Sequence, residues 1–307
     1  MIERFAPPNR LPAQRLHLRP DDAGRVGVTP PRAGWRYLSF ATRRLAPGAA
    51  ISVGGGPSEV AVVVLSGRDV EVGRLGSLPG RRSPFEALPS AVYVPPGHRI
   101  RIRAREATEL ALARAPAAGL RDVANGPLLI TPDRILVETR GAGNATRQIN
   151  HVITPAFPAG RLEVVEVFTP SGNWSSWPPH KHDVDAMPDE AVLEEIYHYR
   201  FRRPEAWGLQ RVYRRPGTPM AESAGPRDAL FEVRDGDVVL VTDGYHPFVA
   251  AHGDDAYYLN ALAGDRRTMA CSFDPDLDWV RETWAAASPD PRVPLVPPVP
   301  APGPPPG

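Results

Sequence analysis

Cysteine and lysine are almost absent from this sequence of 307 residues. The single cysteine, Cys271, excludes an intrachain disulfide bond and a thiolate metal cluster. Histidine and carboxylate side chains are therefore left as candidate metal ligands. We expect Cys271 itself to be a small, buried apolar residue.

Long apolar runs and an excess of one charge are also missing. No segment approaches the roughly 18 uninterrupted apolar residues of a transmembrane helix, and the first residues lack the apolar core of a signal peptide. Lys plus Arg number 36 and Asp plus Glu number 35, for a net charge of +1. The sequence therefore predicts a soluble, cytoplasmic protein that binds neither a membrane nor nucleic acid.

Long helices are difficult to place, because 38 prolines and 27 glycines are spread along the chain. This punctuation favours short strands separated by turns, and many segments alternate with the period of two typical of strands. The predicted fold class is all-β, a sandwich or barrel, with one helix at 276–288. The predicted strands are 35–45, 59–67, 91–96, 98–104, 110–115, 162–170, 195–201, 209–215, 236–242 and 255–263.

A weak internal repeat divides the chain into two halves. A strand followed by Pro-Pro-Gly-His occupies 91–98, and a strand, a turn, Gly and His recur at 238–246. Two tandem barrels would explain this repeat, while the proline-rich end cannot bury a core. The predicted divisions are an N-terminal arm at 1–29, a first barrel at 30–118, a linker with inter-barrel strands at 119–160, a second barrel at 161–287 and a disordered tail at 288–307.

Three histidines and one glutamate in the second half have the spacing of a metal site. His180 and His182 are two apart on an extended segment, so their side chains project to the same face. Glu195 lies among aromatic residues, where an unpaired charge is costly and a cation would remove that cost. His246 follows Gly244 at the end of another strand. The set predicts one divalent ion, with zinc, manganese, iron, cobalt and nickel all compatible.

The order of these motifs (HxH, a later Glu, then Gly-Asp and a downstream GxH) resembles that of the cupin superfamily. Longer blocks resemble the 5-deoxy-glucuronate isomerase family of bacterial myo-inositol catabolism over nearly all of 30–285. The blocks are VVEVFTPSGNWSSWPPHKHD (164–183), LEEIYHYRF (193–201), QRVY (210–213), DGDVVLVTDGYHP (235–247), YYLNALAG (257–264), RGAGNATRQINHVI (140–153), LSG (65–67) and YVPPG (93–97).

The resemblance implies a bicupin whose first barrel has lost its metal ligands, which agrees with a first half containing only His17 and His98. It also implies an aldose–ketose isomerase that converts 5-deoxy-D-glucuronate to 5-dehydro-2-deoxy-D-gluconate. The family's acidic Thr-Asp-Asp stretch is missing from 214–237, a loop with a candidate role in substrate choice. Further departures, none of which removes a ligand, are Ser171, Trp177, Thr242 and Asp243.

Isomerisation of an aldose requires an oxyanion stabiliser and a base rather than a redox cofactor. The metal ion is the candidate stabiliser of a cis-enediol(ate) formed across C1 and C2. Because the implied substrate is a carboxylate, an arginine is its natural partner, and Arg147 and Arg211 are candidates. Gln210 is a candidate partner of a sugar hydroxyl. The candidates for the base are Tyr213, Tyr245, Tyr258, Glu194 and a metal-bound hydroxide.

Two other functions are compatible with the same residues. A cupin dioxygenase uses the same set of three histidines and a glutamate to activate oxygen at iron. A non-catalytic cupin would bind a sugar acid and turn nothing over, although such a protein need not keep a metal ion with open coordination positions. The expected partner is in each case a small molecule. A homo-oligomer is compatible with the exposed strand edges of such folds.

Overall fold

The computed structural model describes residues 4–7 and 9–299. The described chain is mostly β-strand, which confirms the predicted all-β class with few short helices. Among these residues, none of the helices has the length and apolar character needed to cross a bilayer. The helices are α1 Pro30–Ala33, α2 Pro219–Ala224 and α3 Val280–Thr283, with 3-10 turns at Ala13–Arg15, Pro132–Arg134 and Trp284–Ala286.

The helix predicted over 276–288 is wrong in extent, because only α3 and the 3-10 turn that follows it are helical. The residues before α3 form turns closed on Asp274. Its carbonyl oxygen accepts hydrogen bonds from the backbone N–H groups of Leu277 and Asp278, both at 2.9 Å. The chain around Leu277 and Asp278 is therefore closed in turns rather than in the first turn of a longer helix.

The first half of the chain builds one assembly of nine strands. Its main path runs β11-β8-β6-β10-β4-β3, and β5, β7 and β9 complete it. Strand β6 is 15 residues long and pairs with four neighbours, β7, β8, β9 and β10. The strands up to this point are β1 Arg4–Phe5, β2 His17–Leu18, β3 Gly27–Val28, β4 Ser39–Leu45, β5 Ala50–Gly54, β6 Ser58–Val72, β7 Ser77–Arg81, β8 Ala91–Val94, β9 Arg99–Arg103, β10 Thr108–Pro116 and β11 Leu128–Ile130.

The second half contains a seven-stranded sheet, ordered β12-β13-β14-β23-β18-β21-β2, and a four-stranded sheet, ordered β15-β22-β19-β20. Two short pairs, β1 with β17 and β16 with β24, lie outside these sheets. The strands are β12 Leu136–Arg140, β13 Arg147–Ile153, β14 Leu162–Thr169, β15 Trp174–Ser175, β16 His180–Lys181, β17 Val184–Asp185, β18 Leu193–Phe201, β19 Trp207–Tyr213, β20 Asp228–Arg234, β21 Val238–Val241, β22 Phe248–Ala250, β23 Ala256–Gly264 and β24 Ser272–Phe273.

The two halves are joined by strands of the N-terminal arm, which pair with the second half, and by a shared apolar core. The arm strands β1 and β2 pair with the second half, whereas β11 pairs with the first-half strand β8. One apolar cluster is confined to the first half, and a larger one contains residues of both. The fully buried Arg81 forms an ion pair with Glu166 of β14, so the interface is also tied by charge. The domain boundaries proposed from the sequence stay predictions.

The predicted disorder of the tail is wrong for residues 288–296, which are hydrogen-bonded to the second half. Val296 is buried in the shared core, at 1% exposure. Its backbone groups, which a disordered chain would give to water, are both hydrogen-bonded to the side chain of Gln148. Proline abundance therefore did not prevent packing, because this segment lies against an existing sheet rather than building its own core. Residues 300–307, at the end of the predicted tail, lie outside the described residues.

Candidate metal centre and its cavity

One face of β18 points into the second half and carries Glu195. Across the sheet, Glu195 lies opposite Val241 of β21 and Leu262 of β23. Side chains two residues apart on a strand project to the same face, so Tyr197 and Tyr199 lie on the same side of β18 as Glu195. The alternation in this strand thus places a carboxylate among buried aromatic rings, as the sequence predicted.

The side chains of His182, Glu195 and His246 form a buried cluster whose candidate ligand atoms lie within 4.8 Å of one another. The Nε2 atom of His182 is 2.8 Å from Oε2 of Glu195. The Nε2 atom of His246 is 3.3 Å from the same oxygen. Three of the four predicted ligands therefore converge on one point.

The hydrogen bonds on the far side of the two imidazoles fix which nitrogen faces the cluster. Nδ1 of His182 lies 2.9 Å from the carbonyl oxygen of Leu193, and Nδ1 of His246 lies 2.9 Å from that of Gly244. Because a carbonyl only accepts, each Nδ1 must be the donor, and each neutral ring then presents a lone pair at Nε2.

When both rings are neutral, two imidazole lone pairs and a carboxylate oxygen meet at this point. Nε2 of His246 is buried and has no hydrogen-bond partner among the described residues. A cation satisfies all three acceptors at once, and backbone carbonyls holding Nδ1 are the usual support of metal-binding histidines. The residues present therefore fit a divalent metal ion.

His180 lies beside this cluster rather than within it. Its ring centroid is 4.7 Å from that of His246 and 6.4 Å from that of His182. Burial holds the pKa of His180 well below its usual value, and the neighbouring histidines lower it further. The side chain is therefore a neutral imidazole at the edge of the three-residue cluster.

The charge of Glu195 depends on the histidines. Burial by itself would raise its pKa, but the adjacent imidazole groups of His182 and His246 outweigh burial and lower the pKa to about 2. The carboxylate is therefore ionised at neutral pH, as a metal ligand must be.

A cavity of about 560 Å³ opens onto the cluster. His180, His182 and Glu195 form part of its wall, and Arg147 of β13 forms another part. Aromatic and polar side chains thus surround one space large enough for a small sugar acid. The wall also includes Arg140, Trp177, Cys271, Phe273, Arg281 and Trp284.

Arg147 is the buried guanidinium of this cavity. Its side chain donates to the carbonyl oxygen of Ala145 at 3.0 Å and lies over the ring of Trp284. Among the described residues, no carboxylate forms an ion pair with Arg147. Burial lowers its pKa to about 10, so it stays charged at neutral pH. A buried and unpaired cation is a strong site for a substrate carboxylate.

The structure does not bring the other two predicted substrate residues to the cavity wall. Arg211 is half exposed and forms a two-pronged ion pair with Asp228, with both distances 2.8 Å. Gln210 is fully buried, and its amide is occupied by Tyr199 and by the backbone of His246. Neighbouring residues of a strand point to opposite faces, so Gln210 and Arg211 could not both face the interior.

The fold also places most of the candidate bases away from the cavity. The hydroxyl of Tyr213 donates to Asp274, and the Tyr213 ring stacks on Tyr245, 5.2 Å between centroids; neither side chain lines the cavity. Glu194 faces away from Glu195 and accepts hydrogen bonds from the backbone of residues 36–38. Tyr258 lies on the interior face, with its ring 4.6 Å from that of Tyr197.

Sequence reasoning missed several side chains of the cavity wall, among them Arg140, Arg281 and Trp284. For Arg140 a signal existed, because β12 and β13 form a hairpin whose register places Arg140 directly opposite Arg147. Arg281 and Trp284 had no such signal. Both lie in the short helical segment 280–286, and its position against Arg147 and Phe273 is a matter of tertiary packing that the sequence pattern does not show.

The cavity, the convergent cluster and the β-sheets around them define the chain as a cupin with a candidate metal centre. The model of the KduI/IolB family matches residues 16–280, and the chain belongs to that family. The 5-deoxy-glucuronate isomerase of Geobacillus kaustophilus (strain HTA426) is 39% identical over 273 residues, covering 87% of this chain and 95% of the relative. The protein of that name from Geobacillus thermodenitrificans (strain NG80-2) gives the same identity and coverage.

Solved structures agree with this assignment. The crystal structure of an IolB-like protein from Salmonella typhimurium LT2 has a TM-score of 0.76 and 33% identity, covering 83% of this chain and 94% of that one. Oxalate decarboxylase from Bacillus subtilis has a TM-score of 0.52 and 14% identity, covering 81% of this chain and 73% of that one. The second likeness is one of fold alone.

Proposed function

We propose that this protein is a 5-deoxy-glucuronate isomerase that converts 5-deoxy-D-glucuronate to 5-dehydro-2-deoxy-D-gluconate in inositol catabolism. The curated relatives carry that name, at 39% identity over most of both chains. The observation in the molecule that carries the proposal is one cavity whose wall contains both Arg147 and two members of the cluster, His182 and Glu195. These are the two groups that a sugar with a carbonyl at one end and a carboxylate at the other requires.

In this proposal His180, His182, Glu195 and His246 hold one divalent ion, with zinc, manganese, iron, cobalt and nickel as candidates. His180 would complete the set by a rotation of its side chain toward the other three. When bound, the ion supplies Lewis acidity that stabilises the negative charge developing on the C1 and C2 oxygens of the sugar. Leu193 and Gly244 keep the two central imidazoles in the tautomer that binds a cation.

Arg147 binds the carboxylate end of the substrate and thereby orients the aldehyde end toward the cluster. Trp177, Phe273 and Trp284 line the cavity between Arg147 and the metal cluster and exclude water from it. Exclusion of water strengthens the attraction between Arg147 and the carboxylate, because both charges then lie in a medium of low dielectric constant.

Proton transfer from C2 to C1 needs a group that accepts and then returns a proton. Tyr258 is the one of the three predicted tyrosines that shares the interior face of the sheet with Glu195. Burial raises its pKa, against hydrogen bonds to Ser175 and Ser176 that lower it. Its hydroxyl therefore stays protonated at neutral pH, and Tyr258 is not the base.

The test is turnover of 5-deoxy-D-glucuronate by the purified protein, with the ketose followed by NMR before and after treatment with a chelator. We expect isomerisation that stops on chelation and returns when a divalent ion is added. An oxygen electrode in the same reaction should record no consumption. Oxygen uptake without ketose would favour the dioxygenase, and binding of the sugar acid without either product would favour the non-catalytic cupin.

A further inference from the structure

The end of the described chain is fastened along the side of the second half. We call residues 288–296 the C-terminal belt. The backbone N–H of Gly143 donates to the carbonyl oxygen of Ser288 at 2.9 Å, and the N–H of Asp290 donates to Oγ1 of Thr146, also at 2.9 Å. Both contacts lie in the segment that leads into β13, the strand that carries Arg147.

Gln148 anchors the far end of the belt. Its Nε2 donates to the carbonyl oxygen of Val296 at 2.8 Å, and its Oε1 accepts from the N–H of Val296 at 3.0 Å. Gln148 and Val296 are both buried, at 0% and 1% exposure, so water cannot replace these hydrogen bonds. Gln148 and Arg147 are neighbours on β13 and therefore face opposite sides of the sheet.

Shortly before the belt in the chain come the two cavity residues Arg281 and Trp284, which we call the C-terminal wall. Arg281 lies over the ring of Phe273, 4.4 Å from its centroid, and the Arg147 guanidinium is 5.8 Å from that of Trp284. The helical residues that carry the wall span only 280–286. A helical piece this short is not stable by itself, so its position depends on what holds its two ends.

We propose that the C-terminal belt positions the C-terminal wall against Arg147 and thereby sets the affinity of the cavity for its sugar acid. The inference rests on the proposed function for the identity of that ligand. Gln148 is then a positioning residue that acts through the belt, while Trp284, which lies against Arg147, contacts the substrate. The wall and the belt both lie beyond residues 16–280, which the family model matches. They are thus a feature of this chain that the family match does not account for.

The first test compares two shortened chains with the full chain. A chain ending at Ala287 lacks the belt, and a chain ending at Val299 keeps it and serves as the control. For the first we expect KM for 5-deoxy-D-glucuronate to rise about tenfold or more, the effect of losing a hydrogen bond to a charged group. Metal content should stay unchanged and kcat should change less than KM. The control chain should match the full chain.

Gln148→Ala is the second variant and removes the anchor without shortening the chain. Gln14→Ala, at an exposed position, is its control. Amide hydrogen exchange over 276–287 gives a readout that does not depend on turnover. We expect faster exchange there in the chain ending at Ala287 and in Gln148→Ala, and unchanged exchange in both controls.

The outcomes separate this inference from the proposed function. A full chain that isomerises the sugar acid, together with an unchanged KM in the chain ending at Ala287, would overturn the role of the belt and keep the function. A full chain without isomerase activity would count against the function, and exchange over 276–287 would then decide the belt. Unchanged exchange in both variants overturns the inference in either case.

Discussion

The side-chain amide of Gln210 donates a hydrogen bond to the carbonyl oxygen of His246 across 2.6 Å. Its own oxygen accepts from the hydroxyl of Tyr199, so both ends of the amide are occupied. Gln210 therefore fixes the backbone from which His246 reaches the candidate metal cluster. Its contacts thus support a candidate ligand, and they leave no free group for the sugar hydroxyl that the sequence suggested as its partner.

Replacing Gln210 with leucine should therefore weaken metal binding. The His246 backbone would lose its donor, and outer contacts of this kind change metal affinity by about tenfold or more. Calorimetric titration of metal-free protein with zinc or manganese would measure the change, with Gln14→Ala as an exposed control. An affinity equal to that of the unaltered protein would show that His246 is held in place by Gly244 alone.

Removal of a ligand should have a larger effect. We expect His182→Ala, His246→Ala and Glu195→Ala each to lose the bound metal and turnover while the sheets remain folded, because each side chain supplies one of the converging acceptors. His252→Ala, at an exposed histidine, should keep both. Elemental analysis and circular dichroism would separate loss of metal from loss of fold. A metal-free variant with full activity would exclude a metal-dependent mechanism.

Residues close to one another on regular strands were predictable from the sequence. The alternation in β18 placed Glu195 on the interior face, and a strand has a period of two whatever surrounds it, so this position required no knowledge of the rest of the fold. The two-residue spacing of His180 and His182 was less informative, because only His182, which lies between β16 and β17, joins the cluster. The same rule excludes Arg211 from the interior once Gln210 is placed there.

Positions set by long-range packing were not predictable. The proline-rich composition of the tail indicates disorder, but the buried amide of Gln148 offers Val296 the two hydrogen bonds that the tail cannot make within itself. These partners are 148 positions apart in the chain. Trp284 is likewise placed by a long-range contact, since the guanidinium of Arg147 lies over its ring.

The two candidate arginines provide a matched pair of substitutions. Arg147→Ala should lower kcat/KM for the sugar acid by roughly 10- to 100-fold, since it removes charge-assisted hydrogen bonds to the substrate carboxylate. Arg211→Ala should leave kcat/KM nearly unchanged, because its guanidinium is already paired with Asp228 at the surface. Steady-state kinetics would measure both. Equal losses of kcat/KM in the two variants would mean that the substrate carboxylate binds outside this cavity.

Glu163 of β14 gives the fold a dependence on pH that is separate from catalysis. Its side chain is 1% exposed, and burial raises its pKa to about 7, although the charge of Arg267 lowers it. In the unfolded chain the carboxyl returns to the ordinary value of 4.5. Between these two values the folded protein holds a proton that the unfolded chain releases.

The free energy of unfolding should therefore fall as pH rises from about 4.5 to about 7, by an amount on the order of 3 kcal/mol. Glu163→Gln removes the ionisable group and should flatten this part of the stability curve, whereas Glu205→Gln, at an exposed carboxylate, should leave it unchanged. Urea denaturation of metal-stripped protein at a series of pH values would measure the slopes, free of the charge of a bound ion. If Glu163→Gln kept the slope of the unaltered protein, other groups would have to bind the protons that distinguish the folded from the unfolded state.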